Sequence, residues 1–303
     1  MKLSVVSTLY RSEPYLEEFL KRVSEAAQAF SSDHEILLVD DGSPDRSLDR
    51  ALALKKSIPH ITVIELSRNF GHHKAMMTGL EHAKGEHVFL IDSDLEEAPE
   101  LLGRFCEEMD RGGWDVVYGV QQKRGGDLSK RFGGRIAWSL IKALWPIPVP
   151  RDQSTVRLMK AGYVKELIRY KEQMTAIGGL WVLTGFRQTG LSFDKGCRRG
   201  TSYSPLKRLG AFVDSITSFS ERPLYGVFFL GCGMFLISLG MAVWLVIQRL
   251  TGTILSGWAS VMVSLWALSG LILLCLGLVG IYISRIFIET KNRPYVIIRK
   301  LHA

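Results

Sequence analysis

The stretch His87-Val88-Phe89-Leu90-Ile91-Asp92-Ser93-Asp94 decides how the first half of this chain folds. A strand over His87–Ile91 runs without a break into two carboxylates. In an extended run, residues two apart point the same way. Asp92 and Asp94 therefore present hard oxygens on one side of a loop, a donor set suited to Mg²⁺ or Mn²⁺. Such ions keep several waters and bridge carboxylates to substrate phosphates. Glu96 stands where it can add a ligand, and Glu97 follows. An acidic helix cap is the plainer reading of the same residues.

Outward from this strand, the pattern alternates. Leu3–Thr8 is a short β-type run, and Tyr15–Phe30 has helical spacing with Tyr15, Leu16, Phe19, Leu20, Val23 and Phe30 on one side. Glu35–Val39 is a second strand that ends at Asp40-Asp41-Gly42-Ser43. Ser43 then reads as a helix N-cap with Pro44 at the first helical position. Ile61–Leu66 is a third strand, Asn69-Phe70-Gly71 a turn, and His72–Ala83 a helix. Pro99–Met109 is another helix, and Asp115–Tyr118 a fifth strand. Strands alternating with helices predict an α/β domain with a mostly parallel sheet covered on both faces. Ligands of such sheets bind at the carboxyl ends of the strands, where both acidic clusters fall.

Asp40 and Asp41 are placed to accept hydrogen bonds from a ribose or a base N–H, against the alternative of an ordinary turn. The segment Arg68-Asn69-Phe70-Gly71-His72-His73-Lys74 joins strand to helix. Its backbone N–H groups, with Arg68 or Lys74, can meet an anion. Adjacent histidines point in different directions on a helix, so a two-histidine metal site is not expected. There is no G-x-G-x-x-G after the first strand, no G-x-x-x-x-G-K-[ST], and no G-x-S-x-G. Dinucleotide dehydrogenases, P-loop NTPases and serine hydrolases of that type are thereby disfavoured.

From Gly125 the composition changes. Leu128–Trp145 reads as a basic helix carrying Lys130, Arg131, Arg135 and Lys142, broken by Pro146–Pro150. Gln153–Met159 is a strand and Ala161–Lys171 a helix. Residues 1–120 hold 13 Lys and Arg against 22 Asp and Glu, whereas 121–303 hold 25 against 8. The acidic half suits a metal-holding site, and the basic half suits anionic lipid or a phosphorylated acceptor.

Two charge-free runs, Pro223–Gln248 and Leu250–Ser284, are separated by Arg249. Their apolar cores, Leu224–Ile247 and Trp258–Ile283, are 24 and 26 residues long, and about 20 suffice to span a bilayer. Arg198, Arg199, Lys207, Arg208 and Arg222 precede the pair, and Arg285, Lys291, Arg293, Arg299 and Lys300 follow it. The short loop between carries only Arg249. The positive-inside pattern predicts a two-span hairpin with both ends cytoplasmic.

The expected organisation is a catalytic domain at 1–205, an interfacial amphipathic segment at 206–222, the hairpin at 223–284 and a basic tail at 285–303. No cleavable signal is expected at Met1–Tyr10. Cys106, Cys197, Cys232 and Cys275 are scattered, so neither a disulfide framework nor a zinc site is expected. Gly231, Gly233, Gly240, Gly270, Gly277 and Gly280 suit close helix contact, which would allow a homo-oligomer. Nucleic acid is not among the expected partners.

Taken together, Ser7-Thr8-Leu9-Tyr10 with Glu13, Val39-Asp40-Asp41-Gly42-Ser43, Arg68-Asn69-Phe70-Gly71-His72 and Asp92-Ser93-Asp94-Leu95-Glu96-Glu97-Ala98-Pro99-Glu100 resemble the motifs of family 2 glycosyltransferases with the GT-A fold. The nearest group is the polyprenyl-phosphate glycosyltransferases, which includes dolichyl-phosphate mannose synthase and bactoprenol glucosyl transferases. Many bacterial members also end in two spans, so the resemblance covers nearly the whole chain.

The resemblance implies that Thr8, Leu9, Tyr10, Glu13, Asp40 and Asp41 hold the base and ribose of a nucleotide-sugar donor, with Arg68, Asn69, Asp92 and Ser93 alongside. It also implies that Asp92 and Asp94 meet the metal and diphosphate. Glu96 stands where members usually have Gln, and Glu97-Ala98-Pro99 replaces the residues that usually follow. Lys130, Arg131 and Arg135 match the basic helix that meets the acceptor phosphate. Arg157 in Ser154-Thr155-Val156-Arg157-Leu158-Met159 matches the arginine of an S-G-F-R-L stretch, with Thr-Val for Gly-Phe. Arg198 and Arg199 precede a Gly-x-Ser-x-Tyr-like segment and face either a phosphate or anionic lipid. Asp94, Arg131 and Arg157 are then the expected catalytic residues.

The implied reaction moves a sugar, UDP-glucose first, to a polyprenyl phosphate with inversion. Rival readings are transfer to a hydroxyl, with Asp152 as base, and a non-catalytic nucleotide-sugar-binding scaffold. A processive synthase is disfavoured by the absence of Q-x-x-R-W.

Overall fold

Leu3–Leu9 forms strand β1, and every residue of it is buried in the computed structural model. A strand with no exposed side chain must have neighbours on both edges and cover on both faces. The structure describes residues 2–121, 150, 153–173, 177–193, 220, 222–251 and 257–303. The basic helix expected at Leu128–Trp145 and the amphipathic segment at 206–222 lie almost wholly outside the described residues, as do Lys130, Arg131, Arg135, Asp152, Cys197, Arg198 and Arg199.

Around β1 run β2 (His34–Asp40), β3 (Ile61–Leu66), β4 (His87–Leu90), β5 (Val116–Gln121), β6 (Gln153–Lys160), β7 (Gln188–Phe193) and β8 (Ile298–His302). The eight strands form one sheet in the order β7-β5-β6-β4-β1-β2-β3-β8. β4, β1, β2 and β3 are mutually parallel in sheet order. β6 is antiparallel to both β4 and β5, β5 is parallel to β7, and β8 is antiparallel to β3. The expected mostly parallel α/β sheet is therefore present, with antiparallel strands toward its edges.

The helices are α1 (Leu16–Phe30), α2 (Ser47–Lys55), α3 (His72–His82), α4 (Leu101–Gly112), α5 (Ala161–Leu167), α6 (Ile177–Leu183), α7 (Arg222–Leu250) and α8 (Trp258–Thr290). The apolar spacing of α1 places Leu16, Phe19, Leu20, Val23 and Ala27 in the core. α4 adds Leu101, Leu102, Phe105 and Met109, with Phe105 edge-on to Phe89 of β4 at 6.2 Å. Each such large apolar side chain contributes about 1.5–3 kcal/mol by leaving water. This core takes Leu3, Val5, Ile36, Leu38 and Val63 from one face of the sheet. α3 covers the other face, where Val39, Ile64 and Leu66 meet Ala75. Gly79 lets α3 approach closely, because a Cβ there would lie 2.4 Å from Val6 Cγ1.

One local expectation is corrected. α2 begins at Ser47, not at Ser43, and its Ncap is Arg46. Asp45 is the reason. Its carboxylate accepts from the Ser43 and Ser47 hydroxyls and from the Ser47 N–H, which holds Ser43 and Pro44 in a loop ahead of the helix. The strands β7 and β8 and the helix α6 carry too little periodic pattern to be read from sequence. Within the expected basic tail, Ile298–His302 forms the sheet edge as β8.

The chain divides into two compact units. One comprises Met1–Arg135, Ile147–Tyr203 and Arg293–Ala303, and contains the sheet. The other comprises Ile136–Pro146 and Ser204–Asn292, and contains α7 and α8. α7 has 29 residues and α8 has 33. Among the described residues one stretch, Leu268–Thr290, is long and apolar enough to cross a membrane, with a mean hydropathy of 2.4.

Candidate active site

The carboxyl ends of β1, β2 and β4 open onto a cleft of about 450 Å³. Thr8, Tyr10, Asp41, Asn69, Asp92, Ser93 and Asp94 line it, as the motifs imply; Arg11, Ser12, Tyr15, Gly71 and His72 line it as well. Four segments distant in sequence thus converge where open α/β sheets take their ligands.

The floor is built by hydroxyls. Ser93 donates to the Thr8 carbonyl at 2.9 Å, and its Oγ lies 2.8 Å from Ser12 Oγ. Both serines are buried. They lock the β1 end to the acidic loop without adding charge.

The wall is built by Asp41, which is 2% exposed. Its two oxygens accept the N–H groups of Phe70 at 2.7 Å and Gly71 at 3.1 Å. Burial pushes its pKa up, and these two hydrogen bonds oppose the shift. Gly42 makes this closeness achievable: its φ is +59°, and a Cβ would lie 2.6 Å from backbone atoms of Arg68 and Asn69.

Asp40 precedes it at the end of β2, also 2% exposed and not among the residues that line the cleft. Oδ2 accepts the Ser43 N–H at 3.4 Å, while Oδ1 is buried without a hydrogen-bond partner. Desolvation, more than any neighbour, raises its pKa from 3.8 to about 6. The stability from its protonated form is complete below pH 3.8 and is lost as pH rises through about 6. An orphaned carboxylate oxygen is a strong acceptor once ionised. Nucleotide binding is therefore expected to strengthen from pH 5 to pH 7 with a midpoint near 6. Calorimetric titration with UDP at several pH values, on wild type and on Asp40→Asn, tests this; the same pH profile in the variant would refute it.

His72 was not singled out from the sequence as a site residue, yet it stands at the centre. Its Nδ1 lies 3.0 Å from Thr8 Oγ1 and its Nε2 lies 3.4 Å from Asp92 Oδ1. Burial lowers its pKa, outweighing the attraction of Asp41 and Asp94. The ring is thus neutral at neutral pH and leaves the negative charge of the acidic loop uncancelled. The signal was the register of the helix start: Gly71, with φ +101°, is the Ncap of α3, and His72 is its first residue. Arg11 was missed too. Its left-handed backbone (φ 56°) turns it to the cleft, and its N–H donates to Ser43 Oγ at 2.8 Å.

Leu9, Glu13 and Arg68 are not among the residues that line this cleft. Leu9 is fully buried in the core, and only its carbonyl reaches the site region, accepting the Asp41 N–H at 3.1 Å. Glu13 does not line the cleft; it accepts the Arg46 N–H at 3.3 Å and so braces the loop before α2. Arg68 lies over the Phe70 ring, 4.1 Å from its centroid, with Nη1 donating to the Asn69 carbonyl.

Glu96 is turned away by Leu95, whose φ of 58° breaks the extended run that would have aligned three carboxylates. Glu96 does not line the cleft, and its N–H donates to Asp94 Oδ1 at 3.1 Å. Among the described residues no three His, Cys, Asp or Glu side chains form a metal-holding group. Of the expected set Asp92, Asp94 and Glu96, the first two line the cleft.

Arg157 is fully buried, and its Nη1 has no hydrogen-bond partner. It pairs in register with Leu90 on one side and Tyr118 on the other. Nε and Nη2 donate to the carbonyls of Thr155 and Ser154, both at 3.1 Å, and the guanidinium lies 3.0 Å from the Trp181 ring centroid. Desolvation lowers its pKa to about 10. α6 supplies Trp181, and α6 left no mark in the sequence pattern.

A parallel β3-β2-β1-β4 core with an acidic crevice at its carboxyl ends defines an α/β enzyme that takes its ligand at the strand ends. The family described as glycosyl transferase family 2 matches residues 4–168. The chain is 48% identical over its whole length to a protein named "Putative glycosyltransferases" from Mycobacterium tuberculosis, covering 89% of that protein. It is 30% identical to the SfII prophage-derived bactoprenol glucosyl transferase of Shigella flexneri, over 100% of this chain and 99% of that one. It is 29% identical to the undecaprenyl-phosphate 4-deoxy-4-formamido-L-arabinose transferase of Edwardsiella ictaluri, over 99% and 94%. The chain belongs to glycosyl transferase family 2. Its activity is that of a hexosyltransferase.

Proposed function

We propose that this enzyme transfers a hexose from a nucleoside diphosphate sugar, UDP-glucose first, to a polyprenyl phosphate at the cytoplasmic face of a membrane, with inversion. The observation that carries this reading is the meeting of Asp92 and Asp94 with Asp41, Asn69 and the start of α3 in one cleft. The two relatives whose names specify a lipid carrier, bactoprenol and undecaprenyl phosphate, support the acceptor class.

The residues fit a divalent cation. Two carboxylates in an open cleft, with no third protein ligand among the described residues, suit Mg²⁺ or Mn²⁺, which commonly takes one or two carboxylates and completes its shell with waters and substrate phosphates. Asp92 and Asp94 would hold it. When bound, it supplies Lewis-acid stabilisation of the departing diphosphate.

The rest is done by the chain itself. Asp40, buried beside the cleft with Oδ1 unpartnered, is proposed to meet a base N–H or ribose O–H when the nucleotide binds, and Asp41 keeps the Asn69–Gly71 wall in place. Neutral His72 holds Thr8 and faces Asp92 without neutralising it. An acceptor phosphate oxygen attacks the anomeric carbon from the side opposite the diphosphate. A new C–O bond forms as the old one breaks, and the electron pair leaves with the nucleoside diphosphate. A phosphate is already largely dianionic at neutral pH, so positioning is needed more than a general base. Lys130, Arg131, Arg135, Arg198 and Arg199 are proposed to supply it on sequence grounds.

The exposed apolar surface of α7 and α8, including Phe228, Phe229, Ile237, Leu273, Leu274 and Ile283, supports a two-span hairpin. With basic residues at both flanks, the sheet-containing unit and both chain ends are placed on the cytoplasmic side.

Incubating the detergent-purified protein with labelled UDP- and GDP-sugars, undecaprenyl phosphate and Mg²⁺ or Mn²⁺ tests the reading. An acid-labile glycolipid is the expected product. A stable glycoside on a hydroxyl acceptor would replace the acceptor class, and nucleotide binding without turnover would sink the reaction.

A further inference from the structure

We propose that the C-terminal segment Arg293–His302 is a positioning device for the nucleotide cleft, acting through Arg299 and the buried Glu65. This rests on the nucleotide-sugar reading of that cleft.

The argument begins with a misplaced charge. Glu65 lies on β3 in direct register with Asp40 on β2, and it is 9% exposed. Two carboxylates side by side on neighbouring strands repel, and a buried unpaired carboxylate is costly. β8 brings the compensation. Arg299 Nη1 donates to Glu65 Oε1 at 3.0 Å, and His302 Nε2 lies 3.1 Å from Glu65 Oε2. The carboxylate beside Asp40 is thus held in place by residues from the far end of the chain. The charge of Glu65 also adds to the upward shift of the Asp40 pKa, so whatever screens Glu65 is felt at Asp40.

The same segment grips the loop that follows β3. The Ser67 N–H donates to the Ile297 carbonyl at 2.9 Å, and Arg299 Nη2 donates to the Ser67 carbonyl at 2.9 Å. Val296 packs with Phe70 against Leu66 and Ala75. Lys74 Nζ sits 5.0 Å from the Tyr295 ring centroid and donates to Gln173 Oε1, while Gln173 Nε2 donates to the Arg293 carbonyl at 2.7 Å. Asp41 holds Phe70 and Gly71 from the cleft side. The loop Ser67–Gly71 is therefore pinned between Asp41 within and the C-terminal segment without.

Arg299 does not line the cleft, so its loss should weaken ligand binding and leave the chemical step of the bound complex intact. In the full-length protein in detergent, Arg299→Met is expected to raise the UDP Kd and the donor KM about tenfold, the range of a coupling between linked sites, with kcat unchanged. Amide exchange at Ser67–Gly71, read without nucleotide, should quicken. Adding Glu65→Gln to Arg299→Met removes the uncompensated charge and should restore most of the binding; loss of packing alone would not respond. Arg299→Lys should be intermediate, since an ammonium can face Glu65 but does not reproduce the fork to Ser67. An unchanged Kd and exchange rate in Arg299→Met, no rescue by Glu65→Gln, or a fall in kcat at constant KM would each overturn the proposal. A wild-type protein that bound neither UDP nor GDP would sink the nucleotide reading instead, and loop exchange would still decide the clamp.

Discussion

Asp94→Ala is expected to lower kcat/KM for sugar transfer by roughly 10³-fold, the scale of removing one group that stabilises developing charge. Asp94 lines the cleft, and its Oδ1 accepts the Glu96 N–H at 3.1 Å. Its loss should therefore cost little stability, and an unchanged thermal midpoint would separate chemistry from folding. Asp94→Asn keeps the acceptor for Glu96 but drops the charge, so it should fold as well and fail almost as completely. Asp92 then remains as the other carboxylate of the acidic loop that lines the cleft. Steady-state assays over a range of Mg²⁺ and Mn²⁺ concentrations decide the matter. Transfer at the wild-type rate by a folded Asp94→Ala protein would remove the acidic loop from the mechanism.

Asp41→Ala should act differently. It leaves the part-buried Phe70 and Gly71 N–H groups without their acceptor, at up to about 1–3 kcal/mol for each unsatisfied group. The Asn69–Gly71 wall then loosens, and the donor KM is expected to rise by about 10²-fold with a drop in thermal midpoint. Asp41→Asn keeps one acceptor and turns an NH₂ toward the other N–H, so it should be nearly as harmful. This is the reverse of Asp94, where charge matters and local geometry does not. Calorimetry and donor kinetics on the same preparations test both halves, and an unchanged midpoint in Asp41→Ala would show that the wall is held by something else.

The acidic motifs were legible because each follows an apolar strand, and the chain direction in a parallel sheet brings such strand ends to one edge. That suffices to gather Asp40, Asp41, Asp92 and Asp94. It does not say which carboxylate faces which partner. Asp41 turned out to bind backbone, Asp40 to keep a buried oxygen unpartnered, and Glu96 to leave the cleft. Left-handed backbone at Gly42 and Leu95 accompanies these outcomes, and strand pattern carries no information about it. Arg157 shows the same limit more sharply. Its motif reads as a phosphate contact, but its alternation on a strand between β4 and β5 puts it under Trp181 and beside Tyr163.

From its sequence alone this protein is an α/β domain followed by two long apolar runs, with an acidic loop at the end of the fourth strand. Hydrophobic periodicity, strand-end motifs and charge-free length are local properties, so they survive in one dimension. Only the tertiary structure brought His72 between Thr8 and Asp92, buried Arg157, and returned β8 to Glu65 across more than two hundred residues. Those contacts are made by side chains whose neighbours are set by sheet order and helix cover, which no local pattern of residues encodes.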